Sequence, residues 1–274
     1  MNLSQGQHNF FDTFGYLAFP KLFNGDEIAW IAEEFEQVLD NHGSGRLHDG
    51  SSRTMIVPTI DHSERLCTLL DDERIQGIAG DILGADFNYA SGDGNYYSGD
   101  TGWHPDGGYP DLFAIKMAFY LDPVGRNTGC LRVLPGSHKP DSMWRNGTAD
   151  PREIEQWGIA PEDMPGNVAL ETEPGDLVVF DHSTWHASFG GSARRRMFTM
   201  NLHKRGNTVE ELERIDGYLK YHCPVAHGYQ IGGMYTDLIL DTAPVGRLVH
   251  LQQLFERHGL VHPEGTVARD FPKA

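Results

Sequence analysis

A mainly β domain held between helical flanks is what this sequence predicts, and three observations predict it. From about residue 86 to about residue 204, six short apolar or alternating runs follow one another, each cut off by Gly, Pro or Asp. On either side of them the apolar residues fall at the spacing of amphipathic helices. The strand-like runs do not alternate with helices, so they read as a sandwich or barrel-like pair of sheets and not as a β-α-β sheet.

The elements follow in order. Asn24, with Glu27 three residues later, has the logic of a capping box, and Ile28, Ile31, Ala32, Phe35, Val38 and Leu39 form a helical stripe that should end near His42-Gly43. Turn-rich DGSSRT precedes MIVPTI, and SERLCTLLDDERIQGIAGDILG predicts helix over 63–84. The strand-like runs are FNYASG, GNYY, LFAIKMAFYLDPV, GCLRVLPGSH, VALETEPGDLVVF and RRRMFTMNLH. The tail returns to helix with TVEELERIDGYLKYH and VGRLVHLQQLFERHG. No internal repeat and no linker rich in Pro, Gly and Ser divides the chain, so 1–274 reads as a single domain.

Composition narrows the function classes. Lys plus Arg is 22 and Asp plus Glu is 39, a net formal charge of −17, whose field repels nucleic acid and anionic lipid surfaces. No run approaches the roughly 18 apolar residues of a membrane span, and MNLSQGQHNFF has no basic leader before an apolar run. Three scattered cysteines (Cys67, Cys130, Cys223) are too few for a disulfide framework, so a reducing, cytoplasmic location is expected. The 14 histidines direct attention to metal ligands.

GDTGWHPDGGYP carries His104 and Asp106. Side chains at i and i+2 on an extended strand point the same way, so imidazole and carboxylate can converge on one ion. His186, after the apolar run in PGDLVVFDHSTWHASF, is the best third ligand. Two histidines and one carboxylate are the facial triad of non-haem Fe(II) oxygenases, which leaves positions open for co-substrate and oxygen. By itself His-x-Asp also fits a turn, with Asp106 bonding backbone amides and His104 on the surface.

The surrounding pieces resemble the phytanoyl-CoA dioxygenase family of Fe(II)/2-oxoglutarate oxygenases. They occur in the family's order: FFDTFGYLAFPKLFNGDEI, WHPDGGY, KMAFYLDPV, NTGCLRVLPGSH, PGDLVVFDHSTWHAS and RRRMFTMNL, over roughly residues 9 to 202. The resemblance implies a double-stranded β-helix, one Fe(II), 2-oxoglutarate and O2 as co-substrates, and hydroxylation coupled to formation of succinate and CO2. It matches His104, Asp106 and His186 to the iron ligands. His182 is the rival to His186, its alternative being a hydrogen-bonded loop histidine, and His138 in PGSH is expected to brace a turn. Asp106 stands where related halogenases carry Gly or Ala, so hydroxylation, desaturation or ring closure is favoured.

The family also places an arginine on the strand after the distal histidine to bind the far carboxylate of 2-oxoglutarate. Arg194, Arg195 and Arg196 compete at eight, nine and ten residues, because the loop FGGSA is shorter than the family's usual one. The RRMF register gives Arg195, with Met197, Thr199 and Asn201 on its face; the other two arginines are expected to be solvated strand charges. Asn95 and Ser188 resemble secondary co-substrate contacts, with a structural turn bond as the alternative for Asn95. Tyr96, Trp103 and Tyr109 could wall the pocket or equally belong to the core, and Trp103 is expected in the core. Arg53, Lys116, Arg126 and Arg132 could meet an anionic group, though each alone is more naturally a surface charge. The chain beyond 204 departs from the common core and could form a lid. A small polar metabolite or a natural-product intermediate is the expected substrate, a chain so acidic being a poor host for a bulky polyanion. A cupin-type metalloenzyme without a co-substrate, or a non-catalytic module on the same scaffold, are the alternatives. Oligomeric state is not legible.

Overall fold

The computed structural model describes residues 2–43, 48–191, 195–229, 231–267 and 269–272. Its strands are β1 (Tyr16–Phe19), β2 (Thr54–Ile56), β3 (Asn88–Tyr89), β4 (Gly94–Tyr97), β5 (Thr101–His104), β6 (Ala114–Tyr120), β7 (Leu131–Val133), β8 (Val168–Leu170), β9 (Leu177–Asp181), β10 (His186–Ser188) and β11 (Arg195–His203). The helices are α1 (Gln5–Phe14), α2 (Gly25–His42), α3 (Glu64–Cys67), α4 (Glu73–Leu83), α5 (Val209–His222), α6 (Asp237–Asp241) and α7 (Val245–Val261).

The strands make two antiparallel sheets. The larger runs β1-β9-β6-β11-β4-β2, with β3 also on β11; the smaller runs β5-β10-β7-β8. Side chains alternate across each strand, and the larger sheet uses the two faces differently. Ile115, Met117, Phe119, Phe198, Met200 and Leu202 point outward into a core shared with Ile31 and Phe35 of α2 and Ile75 and Ile78 of α4. Ala118, Tyr120, Val178, Phe180 and Met197 point inward against Leu131 and Val133 of the smaller sheet. The functional cavity lies between the sheets, on the inward face.

The expected helices appear where capping chemistry predicts them. Asn24 and Glu27 make both bonds of the capping box on α2, and Thr208 and Glu211 do the same for α5. Three features depart from expectation. Helix 63–84 is broken: α3 gives way to a 3₁₀ turn, and Asp72 leaves the helix to accept the Arg74 N–H and cap α4. The β structure is not confined to 86–204, because β1 and β2 form the two edges of the larger sheet. Such strands of three or four residues are too short to show a period of two. Finally, α1 was not anticipated, although Ser4 and Gln7 form a complete capping box in front of it.

Candidate active site

Strand pairing brings the predicted triad together. His186 opens β10 directly opposite His104, the last residue of β5, and an irregularity in the register follows immediately. Asp106 lies two residues beyond His104, where its N–H and that of Gly107 both donate to the His182 carbonyl, at 2.8 and 3.0 Å. That anchor ties the His-x-Asp turn to the end of β9. The Asp106 carboxylate is 4.0 Å from His104 Nε2 and 3.7 Å from His186 Nε2, and one ligand atom from each residue lies within 4.8 Å of the others.

Both imidazoles are oriented for coordination. His104 Nδ1 bonds the Gly102 carbonyl at 2.8 Å, and His186 Nδ1 bonds the Thr184 carbonyl at 2.9 Å. A carbonyl only accepts, so each Nδ1 carries the proton and each Nε2 presents its lone pair inward. Burial holds His186 down to about 4, keeping it neutral near pH 7, the form a metal requires. Burial opposes the charge on Asp106, but Lys116, with Nζ 2.7 Å from Oδ2, together with His186 and His182 outweighs it, and the carboxyl stays well below its usual range. These groups fit a divalent iron.

Arg195 begins β11, is 3% exposed, and donates from Nη1 to the Gly129 carbonyl and to Ser188 Oγ. Ser188 in turn donates to the same carbonyl at 3.0 Å. Gly129 has φ +90°, and a Cβ there would collide with Arg195 Nη1, so this turn has to be glycine. The Arg195 guanidinium lies 4.6 Å from the Tyr97 ring centroid, its Nε has no partner, and among the described residues no Asp or Glu pairs with it. Burial lowers its pKa from the usual arginine value. A sealed cation without an anion is costly, and a carboxylate entering the cavity would remove that cost.

A cavity of about 350 Å³ joins these groups. Arg195, Met197, Thr199 and Asn201 all line it, as the strand parity predicts. Arg194 lies outside the described residues. Arg196 is corrected: on the opposite face it pairs with Asp122 (2.5 Å) and Glu36 (2.7 Å), a tie between β11 and α2 and no solvated charge. Arg196→Ala should therefore cost about 1–3 kcal/mol of stability and leave the 2-oxoglutarate KM unchanged, read by thermal unfolding and co-substrate titration.

None of the three aromatic candidates lines the cavity, and Trp103 lies in the core as expected. Tyr96 packs edge-on against Phe35 in the outer core, Trp103 is buried in a separate cluster with its Nε1 donating to the Pro161 carbonyl, and Tyr109 packs on Phe113. The walls are instead Tyr97, Tyr120, Phe180 and Tyr218. Of the four basic candidates, Arg53 and Lys116 line the cavity. Arg126 pairs loosely with Asp163, and Arg132 is buried, donating to the carbonyls of Glu162 and Arg126. Asn95 is fully buried but engaged, donating to Asp93 and accepting from Arg53, both at 2.5 Å, and is not part of the wall. His138 does brace a turn, reaching the Asp12 carbonyl at 3.2 Å.

His182 is neither a near ligand nor a hydrogen-bonded loop histidine. Its ring is 1% exposed, faces the cavity, and has no partner on either nitrogen, and burial holds it down to about 3. Ser91 Oγ and Asn201 Oδ1 are likewise buried and unpaired on the wall. The sequence marks His182 as a rival ligand and puts Asn201 on the face of Arg195, but nothing in it shows that Ser91 will join them. The segment beyond 204 does reach the site, placing Tyr218, His222 and His227 on the cavity wall. Among the described residues no helix is long and apolar enough to cross a membrane.

The chain is similar to known proteins over most of its length. Residues 11–198 match the family profile described as phytanoyl-CoA dioxygenase. The chain is 29% identical over 230 residues to the ectoine dioxygenase of Stutzerimonas stutzeri, covering 70% of this chain and 74% of that protein. It is 24% identical over 217 residues to the ectoine dioxygenase of Sphingopyxis alaskensis, covering 69% and 71%. Among solved structures, EctD from S. alaskensis with bound Fe superposes with a TM-score of 0.59 at 22% identity, covering 74% of this chain and 77% of that one. HygX from Streptomyces hygroscopicus, with nickel and 2-oxoglutarate bound, gives 0.59 at 17% identity, covering 75% and 89%. These likenesses identify the paired sheets as a double-stranded β-helix.

Proposed function

The chain belongs to the phytanoyl-CoA dioxygenase family, and on that premise we propose the part each residue takes in its reaction. The protein is a non-haem Fe(II)- and 2-oxoglutarate-dependent dioxygenase acting on a small-molecule metabolite. Bound Fe(II), with 2-oxoglutarate and O2, supplies hydroxylation of an unactivated C–H bond, with succinate and CO2 as co-products.

His104 and His186 hold the iron through Nε2, and Asp106 through its carboxylate. Arg195 receives the distal carboxylate of 2-oxoglutarate, and Ser188, hydrogen-bonded to Nη1, fixes the guanidinium. The observation that carries this reading is the buried, anion-free guanidinium on the wall of the cavity that the triad enters. Asn95 acts behind the wall, holding Asp93 and Arg53 in place. A carboxylate at 106 fills the position a halide would need, so the outcome is hydroxylation and not halogenation.

Lys116 shares Asp106 with the metal. Its ammonium lies 2.7 Å from Oδ2, which is also the oxygen facing His186, while Oδ1 faces His104, so the ion pair fixes the carboxylate between the two histidines. Lys116→Met should weaken Fe(II) binding about 10–100-fold, the usual effect of losing a group that orients a ligand, as measured by anaerobic Fe(II) titration; unchanged affinity would show that the pair does not orient Asp106.

The substrate is a compact polar metabolite carrying both charges or several hydrogen-bonding groups. Arg53 and Asp93, paired at 3.0 Å, put both signs on the wall, and Ser91, Asn201 and His182 offer unpaired polar atoms, which an apolar ligand would leave stranded. The named relatives act as ectoine dioxygenases, so ectoine heads the panel of polar metabolites to be screened for O2-dependent succinate release. Succinate formed in step with a hydroxylated product supports the reading. Activity confined to long-chain acyl compounds would contradict it.

A further inference from the structure

A second cluster of metal-ligating side chains lies away from the triad, where α5 and α7 end. Cys223 is the C-cap of α5; His258 is in the last turn of α7, and His262 caps it four residues later. Residues at i and i+4 share one helix face. One ligand atom from each of the three lies within 4.8 Å of the others, and Cys223 Sγ is 3.4 Å from His262 Nε2. A tetrahedral zinc site, with Zn–S about 2.3 Å and Zn–N about 2.0–2.1 Å, places sulfur and nitrogen roughly 3.6 Å apart.

The hydrogen bonds point the same way. Thr266 Oγ1 spends its proton on the His262 carbonyl at 2.9 Å, so it accepts from His258 Nδ1 at 3.0 Å. His258 Nδ1 therefore carries the proton and Nε2 is a bare lone pair. That Nε2 is completely buried, on a residue 0% exposed, and has no partner. An unsatisfied buried acceptor costs about 1–3 kcal/mol, and the arrangement is that of a metal-ligating histidine fixed through its other nitrogen.

We propose that Cys223, His258 and His262 form a second metal site, for a borderline-soft divalent cation of the zinc(II) class. Thiolate and imidazole ligands suit zinc and not magnesium or calcium, which take oxygen. On binding, the Cys223 S–H bond breaks, its proton leaves to solvent and a metal–sulfur bond forms. His262 gives up its 2.9 Å bond to the Leu219 carbonyl and moves its proton from Nε2 to Nδ1, so its charge does not change. Water completes the coordination. The ion would pin the end of α5 to the end of α7, next to His222 on the cavity wall.

Cobalt(II) tests this site separately from the triad, because a thiolate-to-cobalt charge-transfer band arises only where a cysteine binds, and the triad contains none. Titrating Co(II) into the metal-free full-length protein should produce that band, saturating by two equivalents as the triad and this site both fill, and Zn(II) should bleach it. Cys223→Ser should abolish the band. Thr266→Ala, which keeps all three ligands but frees the His258 ring, should weaken binding about 10–100-fold. His104→Ala should leave the band intact. No band in the wild-type protein, a band undiminished in Cys223→Ser, or wild-type affinity in Thr266→Ala would each overturn the proposal, and the first and third hold even if the serine variant fails to fold.

Discussion

His186→Ala abolishes iron-dependent turnover: that is the expected result with the largest effect. Losing a group that merely orients a ligand costs about 10–100-fold, and losing one of three protein ligands should exceed it. The same substitution at His182 should leave Fe(II) affinity nearly unchanged, because both of its nitrogens lack a partner and it stands outside the cluster of converging ligand atoms. An effect of His182→Ala would instead appear in the substrate KM, since the ring faces the cavity. Steady-state succinate release and anaerobic Fe(II) titration on the two variants separate the roles. Full activity in His186→Ala with loss in His182→Ala would exchange the two assignments.

The second large effect belongs to Arg195. Its guanidinium is buried with no Asp or Glu paired to it among the described residues, so on the proposed reading the co-substrate carboxylate would gain a desolvated partner. Truncating one member of such a pair costs about 2–5 kcal/mol, a rise of roughly 30-fold or more in the 2-oxoglutarate KM. Arg195→Lys should recover part of the loss, since it keeps the charge but not the planar fork. Arg196→Ala serves as the control on the other face, where Asp122 and Glu36 already occupy the side chain.

Much of the fold and the site could be read before any coordinates, for local reasons. His104 and Asp106 share a side because strands alternate, and the parity of β11 separates the cavity face from the core face. Asn24 and Thr208 announce their helices through short-range capping. What could not be read is pairing at a distance. Nothing in the sequence says that His186 will meet His104 by the pairing of β10 with β5, that β1 and β2 will close the edges of the larger sheet, or that His182, Ser91 and Asn201 will meet on one wall. Tyr96 and Tyr97 show how narrow the margin is: neighbours on β4, they face opposite ways, and the one inside is Tyr97. Lys116 looked like a candidate for an anionic substrate, but its partner is the protein's own Asp106.

The central claim is that the triad and Arg195 form one site for Fe(II) and 2-oxoglutarate. Anaerobic absorbance tests it most directly, because the keto acid chelated to Fe(II) gives a visible charge-transfer band before any oxygen is admitted. The wild-type protein should develop the band on addition of both components and lose it in His186→Ala. In Arg195→Ala it should still form, but only at a 2-oxoglutarate concentration roughly 30-fold higher or more. A band retained in His186→Ala, or one that saturates in Arg195→Ala at the wild-type concentration, would contradict the account.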